Sequence, residues 1–223
     1  LRINFENSKL KDFGGSAKLE VAEWGKGTLT VKDGSTTKSV SGDGKVELGA
    51  PKKLGAYVTL TKAMIGATVE NNDLKSIYGE AEAEVKDMGK GWVRVDKQST
   101  LTSFYGQAGL ALTKPQPIGT FAQLSGGEIL ANFEANSLKS FGGWAEVEVF
   151  NWGKGKVTVD QGSTMEHIKG SASLELTGAK SLAGGRVMIT GGKVSASVDG
   201  QKLTRIAGMV EAELTGIAKG KIE

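Results

Sequence analysis

Several residue types that commonly build functional sites are missing or scarce in this chain. It has 223 residues, no cysteine, three prolines and a single histidine, His167. Without cysteine, disulfides, thiolate zinc sites and cysteine nucleophiles are excluded. No apolar run approaches the ~18 residues of a membrane helix. The chain begins at Leu1 rather than methionine, which leads us to expect a removed leader and a secreted or cell-surface location.

Charge is balanced along the chain. The 28 basic and 25 acidic residues give a formal net charge of +3 and are spread evenly. No block of like charge indicates a nucleic-acid arm or a membrane-docking patch. The 33 glycines and 39% apolar residues are typical of an ordered, turn-rich protein rather than a disordered one.

An internal repeat of 64 residues organises the sequence. Residues 3–31 and 131–159 are identical at 17 of 29 positions, and residues 67–95 match the latter at 16 of 29. A weaker copy covers about 198–223 at an offset of 65. We therefore predict one continuous array made of three repeats and a terminal half-repeat, bounded as 1–66, 67–130, 131–194 and 195–223.

Each repeat contains two hairpin patterns. Around Trp152, the apolar residues Ala145, Val147 and Val149 alternate with charged ones, and the alternation resumes at Val157 after a glycine-rich turn. A period of two on both sides of a turn predicts a β-hairpin with one buried face. We call this hairpin type A. A second hairpin type, called B, lies between successive A hairpins. The predicted fold is an all-β tandem β-hairpin repeat array, stacked-sheet, solenoid or sandwich-like. Its order is A-B-A-B-A-B-A, its units have about 32 residues and its strands about six or seven.

The polar face of the A hairpins carries a recurring glutamate. We expect a solvated sheet face, with an ion-pair ladder containing interleaved basic residues as the alternative. The recurring glutamates are Glu20, Glu84, Glu148 and Glu213, with Thr30, Arg94, Thr158 and Lys221 or their neighbours as the expected cross-strand partners.

No catalytic constellation is evident. The sequence lacks a G-x-S-x-G elbow, and Ser163 and Ser171 read as turn serines. His167 is interpreted as a surface or strand residue. The carboxylates Glu6, Asp12, Glu70 and Asp73 lack the order of a calcium loop, although weak calcium binding in the Asn/Asp turns stays open. We expect no enzyme activity, no cofactor and no metal site.

A Gly-Lys-Gly tripeptide follows each of the first three A turns. It superficially resembles a phosphate loop, but a strand rather than a helix follows it. The tripeptides at 25–27, 89–91 and 153–155 are interpreted as hairpin turns whose glycines supply a positive φ.

The A tips are the candidate binding sites. Each places one large apolar residue beside a lysine, a combination suited to a sugar ring, a lipid interface or another protein chain. The alternative is that each large side chain folds back over its own hairpin. The eight candidate residues are Trp24, Lys26, Met88, Lys90, Trp152, Lys154, Ile217 and Lys219.

These features predict a structural, self-assembling β-repeat protein, a subunit of an extracellular fibre, sheath, surface layer or virion part. The expected partner is a second copy of the chain. A carbohydrate-binding module that uses the tip aromatics, with polysaccharide as partner, is the first alternative. A carrier of lipid or another apolar ligand is the second. Neither a nucleic-acid partner nor a membrane span is expected.

Overall fold

The computed structural model describes residues 1–200 and 202–223. The described residues form one antiparallel sheet and a short 3₁₀ turn at Ala183–Gly185. The strands are β1 Arg2–Glu6, β2 Lys9–Val21, β3 Gly25–Ser35, β4 Gly42–Leu48, β5 Lys52–Leu54, β6 Val58–Glu70, β7 Asp73–Val85, β8 Gly89–Ser99, β9 Gly106–Leu112, β10 Gln116–Ile118, β11 Ala122–Glu134, β12 Ser137–Val149, β13 Gly153–Ser163, β14 Lys169–Leu176, β15 Lys180–Leu182, β16 Val187–Asp199, β17 Lys202–Leu214 and β18 Ala218–Ile222.

The predicted all-β tandem hairpin array is confirmed. The chain divides into two compact units, which are described separately. Unit 1 comprises Leu1–Lys86, Lys90–Gly109 and Asn132–Ser137, and unit 2 comprises Asp87–Gly89, Leu110–Ala131 and Leu138–Glu223. Among the described residues, no helix has the length and apolar character needed to cross a membrane.

The strands are longer than predicted. The first strands of the A hairpins, such as β2 and β12, have 13 residues rather than six or seven, and β3 and β13 have 11. A register shift lies between Phe13 and Gly15 in β2 and between Phe141 and Gly143 in β12. Because such a bulge reverses the phase of the alternation, one long strand looks like two short pieces in the sequence.

At one end of the strands in each unit lie two-residue turns and longer loops. We call this row of strand ends the turn edge. Asn71 and Asn72 have φ values of 52° and 71°, and Ala135 and Asn136 have 48° and 68°. Positive φ at both central residues is the requirement of a type I′ hairpin turn, which asparagine tolerates well. The Asn-rich turns predicted from the sequence are therefore present.

A buried serine anchors each of the longer loops on the turn edge. Ser99 is 0% exposed; its hydroxyl donates to the Tyr105 carbonyl and accepts from the Tyr105 amide, both at 2.9 Å. Ser35 and Ser163 are buried at the equivalent places and make the same kind of reciprocal contact. A single hydroxyl thus closes each loop by satisfying two backbone groups.

An asparagine side chain joins each loop to the adjacent turn. The Phe104 amide donates to Asn136 Oδ1 at 2.8 Å, and Asn136 Nδ2 donates to the Thr102 carbonyl at 2.7 Å. Asn72 bonds in the same way to the Val40 amide and the Lys38 carbonyl, at 2.9 and 2.7 Å. We call this contact the asparagine clasp.

Within each unit, the strand register sorts side chains onto two different faces. Directly opposed residues of antiparallel strands point to the same side. In unit 1, one such row is Leu19, Gly27, Val46 and Ile65. In unit 2, the equivalent row is Val147, Gly155, Leu174, Val194 and Gly208. These rows and their same-side neighbours define the apolar face of each unit.

The apolar face is almost uncovered. Among the described residues, Ala122 is the one buried apolar residue, at 2% exposure. Large apolar side chains that point to this face, such as Leu29, Ile65 and Val157, are 46%, 54% and 41% exposed.

Candidate functional site

The predicted A-tip residues occupy two different kinds of position. The large apolar residue is the last loop residue before the returning strand, as in Trp24 before β3 and Trp152 before β13. Trp152 is 42% exposed, Met88 37% and Ile217 82%, while Trp24 is half-buried. The exposed tips are thus available for contact. The alternative, in which each side chain folds back over its hairpin, applies best to Trp24.

The positive φ of the A tips lies one residue before the large side chain. Glu23, Asp87 and Asn151 have φ values of 60°, 63° and 63°, and Gly216 takes this position at 77°. A backbone bond such as Trp152 N to the Val149 carbonyl, at 3.0 Å, closes the turn. Of the Gly-Lys-Gly glycines, Gly25 alone has a positive φ, of 156°. The residue before the large side chain, rather than these glycines, therefore supplies the φ that closes the turn, contrary to the prediction.

Glycine is required in the Gly-Lys-Gly tripeptides for a steric reason instead. A Cβ at Gly27 would collide with the Lys45 carbonyl oxygen, and a Cβ at Gly155 with the Ser173 carbonyl oxygen. The neighbouring strand therefore occupies the space of a side chain at these positions. Because these glycines have no side chains, each pair leaves a strip of bare backbone on the apolar face between flanking valines and leucines. We call this strip a glycine lane.

The predicted tip lysines lie within strands on the polar face. The three-residue loop pairs Lys26 with Glu20 and Lys154 with Glu148. Lys219 pairs with Glu213 and forms an ion pair of 3.1 Å with it. Lys90 has the same place, second in β8. These lysines serve the sheet face rather than the end of the tip.

The expected partners of the recurring glutamates are corrected accordingly. The register places Thr30 opposite Ser16, Thr158 opposite Trp144 and Lys221 opposite Glu211. Charges nevertheless alternate across neighbouring strands. The clearest row in unit 2 is Glu148, Lys154, Glu175 and Lys193. Interleaving of this kind removes repulsion between like carboxylates in adjacent strands.

An open cleft of about 650 Å³ lies beside Trp24 at the A1 tip and is lined in part by Glu20, Glu47 and Lys52. The Lys52 ammonium group lies 4.8 Å from the centroid of the Trp24 ring. This cation–π contact occupies a ring face that a stacked sugar would use.

The B tips expose aromatic residues that the sequence interpretation missed. Tyr57 is 70% exposed and Phe121, 64 positions later, is 64% exposed. In the third B loop, Arg186 takes their place, and the loop is one residue longer. That insertion explains why the fourth A copy is offset by 65 rather than 64. The sequence feature that could have revealed these B-tip residues is a pair of aromatic residues, 64 positions apart, each next to a glycine-containing turn.

Backbone hydrogen bonds place neighbouring tips side by side. In unit 1, the Gly49 amide donates to the Trp24 carbonyl at 2.8 Å and the Lys86 amide to the Tyr57 carbonyl at 2.7 Å. In unit 2, bonds of 2.9 to 3.1 Å continue this order. Their acceptors are the carbonyls of Met88, Phe121, Trp152 and Arg186. We call the line of these loops in each unit the tip edge.

His167 has a structural position on the turn edge. Its Nε2 lies 2.7 Å from Asp199 Oδ1, and Lys169 Nζ lies 3.3 Å from the other oxygen. The His167 ring fills the space that a side chain at Gly200 would take. Gly200 directly follows β16, as Ala135 directly follows β11. Desolvation raises the pKa of Asp199, but hydrogen bonds from Lys169 and His167 outweigh it, and the net pKa lies below its ordinary value.

The serines considered as candidate catalytic residues do not lie together in one site. Ser163 is the buried loop anchor, whereas Ser171 lies within β14 opposite Thr158, so its interpretation as a turn serine is wrong. Within residues 1–200 and 202–223, no group of three or more His, Cys, Asp and Glu side chains could hold a metal ion. Comparison of the chain with protein-family models, curated proteins and solved structures finds no match.

Proposed function

We propose that the protein is a non-catalytic structural subunit that self-assembles through its apolar sheet faces, as part of an extracellular assembly. The observation that carries this proposal is the uncovered apolar face in each unit. Residues such as Leu29 and Ile65 point to that face and are about half exposed. An isolated chain loses the stabilisation that burial of this surface would give, roughly 25 cal/mol for each Å².

A second copy is a suitable cover because it presents the same apolar face. Stable homodimers bury about 2,000 Å² or more, and their interfaces are more apolar than the rest of the protein surface. Glycine lanes next to valine and leucine ridges allow two such faces to interdigitate, as in packed sheets about 10 Å apart. The alternating charges of the polar face remain in water.

Adjacent residues of β3 provide a matched test. Leu29 points to the apolar face and Thr28 to the polar face, where Lys18 and Lys45 flank it. We expect the wild-type chain to form oligomers or filaments in sedimentation equilibrium and negative-stain microscopy. Leu29→Glu should shift it to monomers, whereas Thr28→Glu should leave assembly unchanged, with circular dichroism confirming the sheet in both. A wild-type chain that stays monomeric at high concentration would refute the proposal.

A second candidate function uses the same face. The exposed apolar side chains of this face, such as Leu29 and Ile65, also suit an apolar ligand such as an acyl chain, which is the carrier hypothesis. Native mass spectrometry separates the two functions: a monomer with bound lipid supports the carrier, and a lipid-free oligomer supports assembly.

A further inference from the structure

The tip edge carries large apolar side chains that are exposed to water. In unit 2, Phe121, Trp152 and Ile217 are exposed on adjacent or next-adjacent loops. Successive tips are two strands apart, or about 10 Å. The short strands β5, β10 and β15 add Leu54, Ile118 and Leu182, which are also exposed. The edge therefore presents large apolar side chains at close, regular intervals.

The loops of the tip edge are basic when taken together with the short strands within them. In unit 1, these loops and β5 carry Lys52, Lys53 and Lys86 against Glu23, three positive charges minus one negative, or +2. In unit 2, the loops with β10 and β15 carry Lys114, Lys180 and Arg186 against Asp87, again three minus one. The loops of the turn edge contain one basic residue in unit 1, Lys38, and one acidic residue in unit 2, Glu166.

Several of these charges have no partner in the chain. Among the described residues, Lys53, Lys86 and Arg186 make no ion pair and are exposed. Lys114 lies 3.5 Å from Asp87. The tip edge thus combines exposed aromatic and aliphatic groups with free cations, the composition of surfaces that lie at a lipid–water interface.

We propose that the tip edges dock on an anionic lipid bilayer surface. The large tip side chains enter the interfacial region, and the lysine and arginine side chains extend to the lipid phosphates. The hydrogen bonds between neighbouring tips already pair the backbone carbonyl of a large tip residue such as Phe121 or Trp152, so insertion does not leave that carbonyl unpaired. This interaction is separate from the self-association proposed above.

A polysaccharide fits the same edge less well. Sugar rings stack on flat, open aromatic faces, but Met88 and Ile217 offer none and Lys52 covers a face of Trp24. A bilayer interface accepts aromatic and aliphatic side chains alike. The mixture of residue types at equivalent tips therefore favours lipid.

Vesicle co-sedimentation of the full chain tests the proposal. The probes are vesicles of phosphatidylcholine alone and vesicles that also contain phosphatidylglycerol. We expect binding to the anionic vesicles that weakens in high salt, with a blue shift of tryptophan emission. Phe121→Ser with Trp152→Ser should weaken binding about tenfold. Lys53→Glu with Arg186→Glu should also weaken it about tenfold or more.

Leu101→Ser with Met165→Ser is the matched control, because both residues are exposed on loops of the turn edge. Its binding should equal that of the wild type. Absence of binding to anionic vesicles, or equal loss in tip and control variants, would overturn the proposal. Retention by a polysaccharide that the tip variant abolishes, without vesicle binding, would also overturn it. Sedimentation without lipid reports on self-association independently.

Discussion

The asparagine clasp permits a quantitative test of how the turn edge is held. Asn136 makes two side-chain hydrogen bonds to the loop at 102–104 and adopts a φ of 68°. Each hydrogen bond contributes about 0.5–1.5 kcal/mol, and partial exposure favours the lower half of that range. Asn136→Gly removes both bonds but keeps the backbone free to adopt a positive φ. We expect it to lower the local stability by about 1–2 kcal/mol.

Asn136→Ala adds a second cost to the same loss of hydrogen bonds. Alanine has no side-chain polar group to support a left-handed backbone, which adds about 1 kcal/mol relative to glycine. The difference between the two variants isolates the conformational contribution, and the glycine variant isolates the hydrogen bonds.

Amide hydrogen exchange is the suitable assay because a repeat array need not unfold in one step. The Phe104 amide donates to the Asn136 side chain, so its protection should fall roughly 5–30-fold in the glycine variant. The alanine variant should show a further fall. Unchanged protection of Phe104 in Asn136→Gly would show that the clasp does not stabilise the loop. Equal protection in both variants would show that φ imposes no cost.

Three further predictions concern the strands and tips. Gly155→Ala should destabilise the chain by about 1–3 kcal/mol because its Cβ meets a backbone carbonyl; Gly44→Ala, where the nearest atom is 3.8 Å away, should stabilise it by up to about 1 kcal/mol in urea unfolding. Glu23→Gly relieves a φ of 60° and should raise the thermal midpoint by a few degrees, about 0.5–1 kcal/mol. The lowered pKa of Asp199 means that its stabilising effect is present above its unfolded pKa, about 3.9, and is lost as the pH falls through the folded value. Exchange at the Gly200 amide should therefore accelerate in acid, and Asp199→Asn should abolish that acid dependence.

Local patterns made the repeat, the two hairpin types and the Asn-rich turns predictable. Alternation in β12 and β13 and the turn before Gly153 are encoded within a few residues. Strand length was not predictable in the same way, because the bulge near Gly15 reverses the alternation inside β2. The position of Lys26 depends on a three-residue loop that sets the register, which periodicity alone does not reveal.

The tip edge and the clasp required knowledge of which loops are neighbours. Lys53, Lys114 and Arg186 are separated by more than 60 residues along the chain, so no charged block appears in the sequence. Asn136 and Thr102 are 34 residues apart and meet only because two loops share the turn edge. The aromatic residues Tyr57 and Phe121 are an exception, since the repeat distance relates them directly.

Comparison of the repeat copies separates the residues that the fold requires from those that are free to vary at the tips. On the turn edge, Ser35, Ser99 and Ser163 are identical because each satisfies two backbone groups in a buried place. At Gly200, which follows β16 as Ala135 follows β11, the His167 ring fills the space of a side chain. The A tips instead carry tryptophan, methionine and isoleucine at one position, while neighbouring tips keep their backbone hydrogen bonds. The fold therefore does not dictate the identity of the tip side chain, and a large apolar residue of variable shape is what the proposed contact of the tips with a bilayer surface requires.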